Sequence, residues 1–532
     1  MRRFGIAALL AAGIAGCSGG GSPMLPASRQ APSGTVLARL TIKVPHRTRA
    51  HRRGHYVSPA TASLAYAVDG VTQTPVTISP SSPNCKVNGP ISYLQCSVNL
   101  SIKPGNHTFA FTTKDAAANV LSANTHVTFN VVAGSSNTIP VTLGGVASSL
   151  AVYPPAVPQV VVGSGGGFTV YGKNALQFSI VPLDADGNAI LGPGAPQPVV
   201  SAAPVSMTMK TPAPIAPNLW TFTSTYAPTD PSVAKVSSIS ISATPVPNSG
   251  GATVSATIPL ALYVPWIYAT SENGGDAVVV TDEGGTAQPV SGTFPNLSSV
   301  NGIAYDPHNG FLYVENGGTS NITVYDLQGR QQTVAGSFQN GGPDQPGGIV
   351  FDPHDNLLYV TYFSSDSVSA FDEQGRLQTT SGAFANLTNP IGIAYDGADR
   401  ALYVANAAGS VTAYDEQGVQ KALPGGFPNL TAPAGLAYDS IDAFLFVTNT
   451  NFGGGAPGSI TVYDTQGNQQ TVSGSFPGLG QGPTSIAHDP HNDWFYVGDC
   501  SGAPVHAFDA NGNQQTLSGT PSTYVPGIAI VP

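Results

Sequence analysis

Polar and aromatic residues follow short apolar segments at regular intervals through the second half of the chain. Many of these segments read Leu-Tyr-Val or a close variant, and the residues after them differ from one segment to the next. Variable polar and aromatic side chains at the ends of rigid strands are suited to binding a protein, a peptide or a glycan. Asn and Asp also form turns after strands, which is the alternative for any one of them. The candidate binding residues are Glu272, Asn273, Asn301, Glu315, Asn316, Tyr362, Phe363, Asn406, Asn449, Phe452 and Asp499.

The other reactive side chains are placed less favourably for catalysis. His308, His354 and His491 occupy the same Asp-Pro-His sequence in three different repeats, which spreads them apart instead of gathering them. Cys500 accompanies no catalytic motif, so we predict a small buried residue and not a nucleophile. The sequence holds no phosphate-binding, dinucleotide-binding, serine-hydrolase or paired-cysteine motif. It therefore predicts no catalytic residue, no bound metal and no cofactor.

A repeat of about 45 residues positions these side chains. Each copy reads Gly-Ile-Ala-Tyr-Asp, Leu-Tyr-Val, Ile-Thr-Val-Tyr-Asp-x-x-Gly and Gln-Thr-Val, with turns between them. Four short strands per repeat are typical of a propeller blade. The first Asp of the repeat is Asp306, Asp352, Asp396, Asp439 and Asp489, and the second is Asp282, Asp326, Asp372, Asp415, Asp464 and Asp509. We expect the second Asp to accept backbone hydrogen bonds in the turn that it opens.

The phase of the repeat predicts how the array closes. It begins within a repeat at Trp266 and ends on an apolar segment at Gly527–Val531, so the last strand can complete the first blade and leave no open sheet edge. The sequence therefore predicts an all-β fold in which residues 264–532 form a six-bladed β-propeller.

Two families of propeller repeat resemble these segments. Residues Pro390–Asn406 with Ser410–Asp415 are similar to NHL repeats, and Leu445–Asn449 with Ile460–Asp464 looks like the YVTN type of surface propeller. The resemblance covers about half of the chain. It implies the fold more than the activity, because such propellers include enzymes, sensors and scaffolds.

The calcium-dependent gluconolactonases also resemble this chain, since they form six-bladed propellers of the same strand pattern. The resemblance places their metal ligands, acidic residues and Asn, directly before the innermost strand. The matching positions here are Asn301, Gly347, Ile391, Ala434, Thr484 and Pro526. Only Asn301 fits, whereas calcium needs several oxygen ligands with negative charge among them. A non-catalytic binding module is thus the preferred interpretation, and a lactonase-like hydrolase or lyase at the channel mouth is the alternative.

Charge divides the chain into two unlike halves. From Val264 onward there are 4 basic and 24 acidic residues, a net charge of −20, whereas the rest of the chain carries +10. The acidic half repels polyanions, so nucleic acid is not expected as a partner. Only 9% of all residues are charged, and Gly and Pro are abundant, as expected of turn-rich β-structure.

The N-terminus reads as an export signal. Arg2 and Arg3 precede an apolar run, Phe4–Ile14, and then Ala15-Gly16-Cys17. Ile14–Cys17 looks like the lipobox of bacterial lipoproteins, which implies a signal peptide over 1–17, a lipid on Cys17 and attachment to a membrane of the bacterial cell envelope. An ordinary signal peptide with an incidental Cys is the alternative. Residues 18–34, rich in Gly, Ser and Pro, are expected to form a flexible tether.

Two further β-domains precede the repeats. Alternating apolar segments predict Ig-like β-sandwiches over 35–146 and 147–263. In an exported protein, the closely spaced Cys85 and Cys96 suit a disulfide. The basic segment His46–His55 is either an anion-binding contact or a solvated loop. Asp184–Asn188 resembles the start of a calcium loop but is better explained as a hairpin turn.

Overall fold

The computed structural model describes residues 34–45, 57–88, 93–192, 194–203, 205–209, 219–272, 275–339, 344–451, 455–501, 505–519 and 524–532. Cys17, tether residues 18–33, the basic segment 46–55, Asn273 and Phe452 lie outside these ranges. No described residue is helical, so the predicted all-β class is confirmed. Within the same ranges there is accordingly no helix with the length and apolar character needed to cross a membrane.

The first unit consists of two sheets over one apolar core. Its strands are β1 (Val36–Pro45), β2 (Ser63–Val68), β3 (Val71–Thr72), β4 (Val76–Thr77), β5 (Cys85–Asn88), β6 (Tyr93–Ile102), β7 (Gly105–Lys114), β8 (Val120–Val131), β9 (Asn137–Thr138) and β10 (Gly144–Gly145). One sheet has the order β5-β6-β1-β9, and the other β10-β8-β7-β2-β3, with β4 also on β2. Residues alternate between core and solvent along β1, so that Leu40 is buried and Arg39 is exposed. A disulfide joins Cys85 to Cys96 across β5 and β6.

The second unit repeats this two-sheet plan. Its strands are β11 (Ser149–Tyr153), β12 (Val160–Val162), β13 (Phe168–Tyr171), β14 (Leu176–Leu183), β15 (Pro198–Ala203), β16 (Val205–Met209), β17 (Leu219–Ser224), β18 (Lys235–Ala243) and β19 (Val254–Tyr263). The sheets have the orders β11-β14-β17-β16 and β12-β13-β19-β18-β15, and β13 runs parallel to β19. Phe178, Phe222 and Ile239 are buried in the core that the sheets share.

The repeats form six further sheets among the described residues. The first two have the strands β20 (Trp266–Ser271), β21 (Ala277–Asp282), β22 (Val300–Asp306), β23 (Phe311–Asn316), β24 (Asn321–Asp326) and β25 (Gln331–Gln332). The next two have β26 (Pro346–Asp352), β27 (Leu357–Tyr362), β28 (Ser367–Asp372), β29 (Leu377–Gln378), β30 (Pro390–Asp396), β31 (Ala401–Asn406), β32 (Ser410–Asp415) and β33 (Gln420–Lys421). The last two have β34 (Pro433–Asp439), β35 (Phe444–Asn449), β36 (Ser459–Asp464), β37 (Gln469–Gln470), β38 (Pro483–Asp489), β39 (Trp494–Asp499), β40 (His506–Asp509) and β41 (Gln514–Gln515), while β42 (Ile528–Val531) ends the chain.

We number these repeat sheets 1 to 6 in chain order. Repeat sheet 1 has the order β21-β20-β42, and each of the others consists of four consecutive strands. The pairing of β42 with β20 is the one that the phase of the repeat predicts. The first strands of consecutive repeat sheets contact each other, and β42 contacts both β38 and β22. The series of contacts therefore returns from the last sheet to the first, as the strands of a β-propeller do.

One Phe in each of five repeats packs between neighbouring repeat sheets. The ring centroid of Phe384 lies 6.1 Å from that of Tyr359 and 5.2 Å from that of Tyr414, which belong to sheets 3 and 4. Its backbone has a φ of 44°, and its N–H donates to the carbonyl of Gly418 at 3.0 Å. The ring contacts hold a backbone conformation that is unfavourable for a bulky residue. The set is Phe294, Phe338, Phe384, Phe427 and Phe476.

The second Asp of the repeat organises the turn that follows the third strand. In repeat sheet 3, Oδ1 of Asp372 accepts hydrogen bonds from the N–H groups of Gln374 at 3.0 Å and Arg376 at 2.9 Å. The same two bonds recur at Asp326, Asp415, Asp464 and Asp509. The turn-forming role predicted for this Asp is therefore confirmed.

The second unit contacts the repeats through the last residue of β13 and the two residues that follow it. The ring of Tyr171 stacks on that of His491, with centroids 3.8 Å apart. The N–H of Lys173 donates to the carboxylate of Glu283. Gly172 between them has a φ of +85°, and a Cβ there would lie 2.3 Å from Oε2 of Glu283. Only glycine therefore fits at this contact.

Candidate functional site

The candidate binding residues that the structure describes lie at one end of the repeat sheets. Each second strand runs antiparallel to the first, and its last residue pairs with the first residue of that strand, as Asn316 does with Val300. The loops before the first strands and after the second strands therefore share one end. We call this end the loop face. The Asp-Pro-His turns lie at the opposite end, which we call the turn face.

The asparagines that end three second strands are bonded within their own repeat sheets. Oδ1 of Asn316 accepts the N–H of Ser298 at 2.9 Å, and its Nδ2 donates to Oγ1 of Thr323 at 3.1 Å. Asn406 and Asn449 make the equivalent pairs of bonds. All three side chains are buried. The geometry thus favours the turn-forming role, which the sequence left open as the alternative to ligand contact.

Glu315 is a buried carboxyl at the loop face. Its Oε2 accepts the N–H of Gly302 at 2.9 Å, whereas Oε1 has no hydrogen-bond partner among the described residues. Burial raises its pKa to about 8. Thr361, at the same position of repeat sheet 3, donates its hydroxyl to the carbonyl of Ile391 in sheet 4 at 2.6 Å. Glu315 is therefore protonated near neutral pH. It occupies the position at which repeat sheet 3 has a hydroxyl that joins neighbouring sheets.

Asn301 connects three repeat sheets. Its Nδ2 donates to the carbonyl of Pro346 at 2.8 Å, and its own carbonyl accepts the hydroxyl of Thr270 at 2.7 Å. Thr484, the other polar residue of the six positions matched to gluconolactonase ligands, has its Oγ1 2.7 Å from Sγ of Cys500. One amide and one hydroxyl, both already in contact with protein atoms, do not fit a calcium ion.

Tyr362 and Phe363 follow each other but have different environments. Tyr362 is buried with Tyr313 and Ile349 between repeat sheets 2 and 3. Burial, and then the charge of Glu315, raise the pKa of its hydroxyl. Phe363 is 41% exposed. Of this pair, only Phe363 can offer a ring to a ligand without rearrangement.

Asp499 and His506 replace the Asn–Thr pair in repeat sheet 6. Oδ1 of Asp499 accepts the N–H of Ser501 at 2.6 Å. Neither Oδ2 of Asp499 nor Nε2 of His506 has a hydrogen-bond partner among the described residues, and both side chains are buried. Burial lowers the pKa of His506. Asp499 is therefore a buried group and not an exposed ligand contact.

Three titratable groups from separate segments converge where repeat sheets 6 and 1 meet. Glu272 follows β20, Cys500 follows β39 and Tyr524 precedes β42. The N–H of Glu272 donates to the carbonyl of Tyr524 at 3.3 Å. Burial raises the pKa of the Glu272 carboxyl, and the side chain remains partly exposed. Burial raises the pKa of the Cys500 thiol to about 11, and Tyr524 hydrogen-bonds it.

The structure thus gathers only part of the predicted set. Glu272 joins Cys500, which the sequence predicted to be buried and which the structure leaves half-buried, and Tyr524, which sequence reasoning missed. Tyr524 lies directly before the repeated first strand, where the other copies have five different residues, so the repeated pattern gives no signal for it. Those residues are Ser299, Gln345, Asn389, Ala432 and Gly482. The high pKa of Cys500 supports the prediction that this thiol is not a nucleophile at neutral pH.

Known proteins resemble parts of this chain. Residues 266–408 match a family model described as the SMP-30/Gluconolactonase/LRE-like region. One similar solved structure, described as a nidogen/laminin complex, is 18% identical, covers 50% of this chain and 98% of its own, and has a TM-score of 0.40. Another, a gluconolactonase from Xanthomonas campestris, is 16% identical, with coverages of 48% and 86% and a TM-score of 0.34. No curated protein matches the chain significantly.

Proposed function

We propose that the repeats form a hydrolase for small lactones or esters, with its site at the loop face between repeat sheets 6 and 1. The observation that carries this proposal is the convergence of Glu272, Cys500 and Tyr524 on one partly exposed corner. A carboxyl with a raised pKa beside other titratable groups is typical of functional sites. The family match over residues 266–408 includes Glu272 and favours this activity over the non-catalytic binding that we preferred from sequence.

In this mechanism Glu272 is the general base. Its raised pKa makes the carboxylate a stronger base than an ordinary Glu, so it can take a proton from water. The water oxygen attacks the carbonyl carbon of the lactone, and the ring C–O bond breaks. The leaving alkoxide takes the proton from Glu272, which gives a hydroxy acid. Tyr524, which burial keeps protonated, donates a hydrogen bond to the carbonyl oxygen as negative charge develops there.

The test is hydrolysis by the whole chain of a panel of sugar lactones, aliphatic lactones and 4-nitrophenyl esters. We expect Glu272→Gln to lower kcat/KM by roughly 10²- to 10⁴-fold, because it removes the base. Tyr524→Phe should lower kcat by about 10²- to 10³-fold. Glu373→Gln, a carboxyl on the turn face, is the matched control and should leave kcat/KM unchanged.

Two results would contradict the proposal. One is turnover that Glu272→Gln leaves intact. The other is a wild-type rate no faster than that in buffer across the panel. Activity lost on chelation and restored by calcium would instead overturn the conclusion that the loop face does not fit a metal.

Binding without catalysis is the second candidate function. The observation that favours it is the exposed ring of Phe363 on the loop face. Exposed aromatic side chains commonly anchor protein, peptide or glycan ligands. If the hydrolysis panel is negative, binding to a peptide or glycan array that Phe363→Ala abolishes would establish this function in place of the first.

The proposed setting is the bacterial cell envelope. In this view, residues 1–17 are a lipoprotein signal peptide, the first two units are Ig-like sandwiches that act as spacers, and the repeats are the blades of a six-bladed propeller. The two-sheet cores of the first units and the closed series of sheet contacts support this arrangement. The acidic propeller disfavours nucleic acid as a partner.

Lipid attachment through Cys17 has its own test. Expressed with its native N-terminus in a bacterium, the wild-type chain should fractionate with membranes, and its N-terminal peptide should carry the mass of a diacylglyceryl group on Cys17. Cys17→Ala should move the protein to the soluble fraction, because the thiol that accepts the lipid is absent. A wild-type chain cleaved without lipid would contradict the proposal.

A further inference from the structure

The first Asp of the repeat is fully buried on the turn face and binds its own turn. In repeat sheet 5, Oδ1 of Asp439 accepts the N–H groups of Ile441 at 2.8 Å and Asp442 at 3.2 Å. Its Oδ2 has no hydrogen-bond partner among the described residues. The equivalent oxygens of Asp306 and Asp489 also have no hydrogen-bond partner among the described residues. What distinguishes the five copies of this Asp is the residue that the next repeat sheet places beside each of them.

A tyrosine from the next sheet stands beside two of these carboxylates. Tyr395 faces Asp352, and Tyr438 faces Asp396. At Asp439 the corresponding residue is His488, whose Nε2 lies 3.6 Å from Oδ1 of Asp439. An imidazole nitrogen, unlike a phenol, is a good ligand for a divalent transition metal.

A second carboxylate meets the same imidazole nitrogen. Oδ1 of Asp493 lies 3.2 Å from Nε2 of His488, a hydrogen bond that an ion bound between them would replace. The ligand atoms of Asp439, His488 and Asp493 all lie within 4.8 Å of one another. Ligands about 2.0–2.2 Å from one ion are themselves about 3–3.6 Å apart, which matches the two measured separations. The ring of His488 stacks on Phe495 with centroids 4.6 Å apart, which fixes its orientation.

We propose that Asp439, His488 and Asp493 form a binding site for a divalent transition metal of the zinc class between repeat sheets 5 and 6. One imidazole and two carboxylates are a common ligand set for such ions. The side chains of Asp439 and His488 are 0% and 4% exposed, whereas that of Asp493 is 31% exposed. The site therefore has a buried floor and an open side, where water completes the coordination. The ion joins two neighbouring sheets on the turn face, away from the site proposed for hydrolysis.

Two other clusters on this face fit an ion less well. In one, Nδ1 of His308 lies 2.6 Å from Oε1 of Glu373, which is a direct hydrogen bond and too close for two ligands of one ion. In the other, Asp355 and Glu416 already accept the hydroxyls of Tyr359 and Tyr395. The first cluster supplies a matched control, because His308 is exposed and has a carboxylate partner.

The test uses the tag-free whole chain, stripped of metal and titrated with Zn²⁺ and Co²⁺. We expect Zn²⁺ at about a hundredfold excess over its Kd to raise the Tm by about 5 °C or more. His488→Tyr installs the residue found at this position in repeat sheets 4 and 5, so the fold has a precedent for it. It should abolish that rise and lower the bound metal by one ion per chain. Asp493→Asn should weaken binding at least tenfold, and His308→Ala should change neither quantity.

Loss of binding in His488→Tyr but not in His308→Ala supports the site, as does a visible Co²⁺ spectrum that only His488→Tyr removes. A wild-type Tm that does not respond to Zn²⁺ would overturn it, and so would equal binding by His488→Tyr. If His488→Tyr does not fold, Asp493→Asn decides, because that side chain is partly exposed and its substitution leaves the core intact. These measurements do not depend on lactone hydrolysis, so the two proposals can fail separately.

Discussion

Replacing Glu315 with Gln is expected to stabilise the protein near pH 8 and to flatten the dependence of its stability on pH. The folded chain holds the Glu315 proton with a pKa of about 8, well above that of an exposed Glu, because the carboxyl is fully buried. The folded state therefore binds more protons than the unfolded state between pH 4.5 and 8. The stability that this carboxyl contributes is complete below its pKa in the unfolded chain. It is lost as the pH rises through its pKa in the folded protein, by up to about 1.4 kcal/mol per pH unit.

Calorimetric unfolding at several pH values between 5 and 8.5 measures this effect. The wild-type Tm should fall as the pH rises from 7 to 8, and Glu315→Gln should remove most of that fall. Glu315→Thr, which installs the residue found at 361, should do the same and can restore a bond to the neighbouring sheet. Asp399→Asn, which removes an exposed carboxyl on the turn face, should leave the slope unchanged. An unaltered slope in Glu315→Gln would show that the carboxyl is ionised in the folded protein.

The repeat positions could be predicted because propeller strands are set by local patterns. The apolar segments, the turn Asp and the bulky residue between sheets recur at a constant spacing, so each copy supports the assignment of the others. Asp372 and Phe384 illustrate this, because a turn hydrogen bond and an inter-sheet ring contact are repeated almost unchanged. The pairing of β42 with β20 followed from the phase of the pattern alone.

The candidate site was harder to predict because one residue type serves two purposes. An Asn after a strand can face a ligand or close a turn, and Asn316 closes a turn through Ser298 and Thr323.

The corner of Glu272, Cys500 and Tyr524 depends on loops that differ in every repeat, so repetition gives no information about it. The cluster at His488 was equally hidden. Its signal is a His where three other copies have Tyr305, Tyr395 and Tyr438, and it is visible only when the copies are compared position by position.

The contact between the second unit and the repeats could not be predicted from the sequence, because its partners are far apart in the chain and share no motif. The N–H of Lys173 donates to Glu283, and its Nζ lies 2.8 Å from Oδ2 of Asp282. These residues are separated by about a hundred positions, and neither segment contains a pattern that points to the other. Burial raises the pKa of Glu283 to about 7, which makes this contact sensitive to pH.

Raising the pH from 5 to 8 is expected to loosen this contact. The pKa of Glu283 is higher in the docked state than in an exposed Glu, so docking is favoured below pH 4.5 and is weakened as the pH rises through 7. A pKa shift of this size lowers the equilibrium constant for docking by a factor on the order of tenfold to a hundredfold. Glu283→Gln keeps an acceptor for the Lys173 N–H but removes the titration, so its docking should be nearly constant over this range.

Hydrogen exchange of the segment 168–176, normalised at each pH to the unfolded peptide, reports this equilibrium. Wild-type protection should fall between pH 5 and 8, whereas the protection of Glu283→Gln should not. Glu373→Gln, whose carboxyl is on the same face but away from the contact, should behave like the wild type. Equal losses of protection in the wild type and Glu283→Gln would assign the pH response to another group. Constant protection in both would mean that Glu283 stays ionised beside Lys173, because the ion pair of Lys173 with Asp282 leaves the ammonium group close enough to offset the cost of burial.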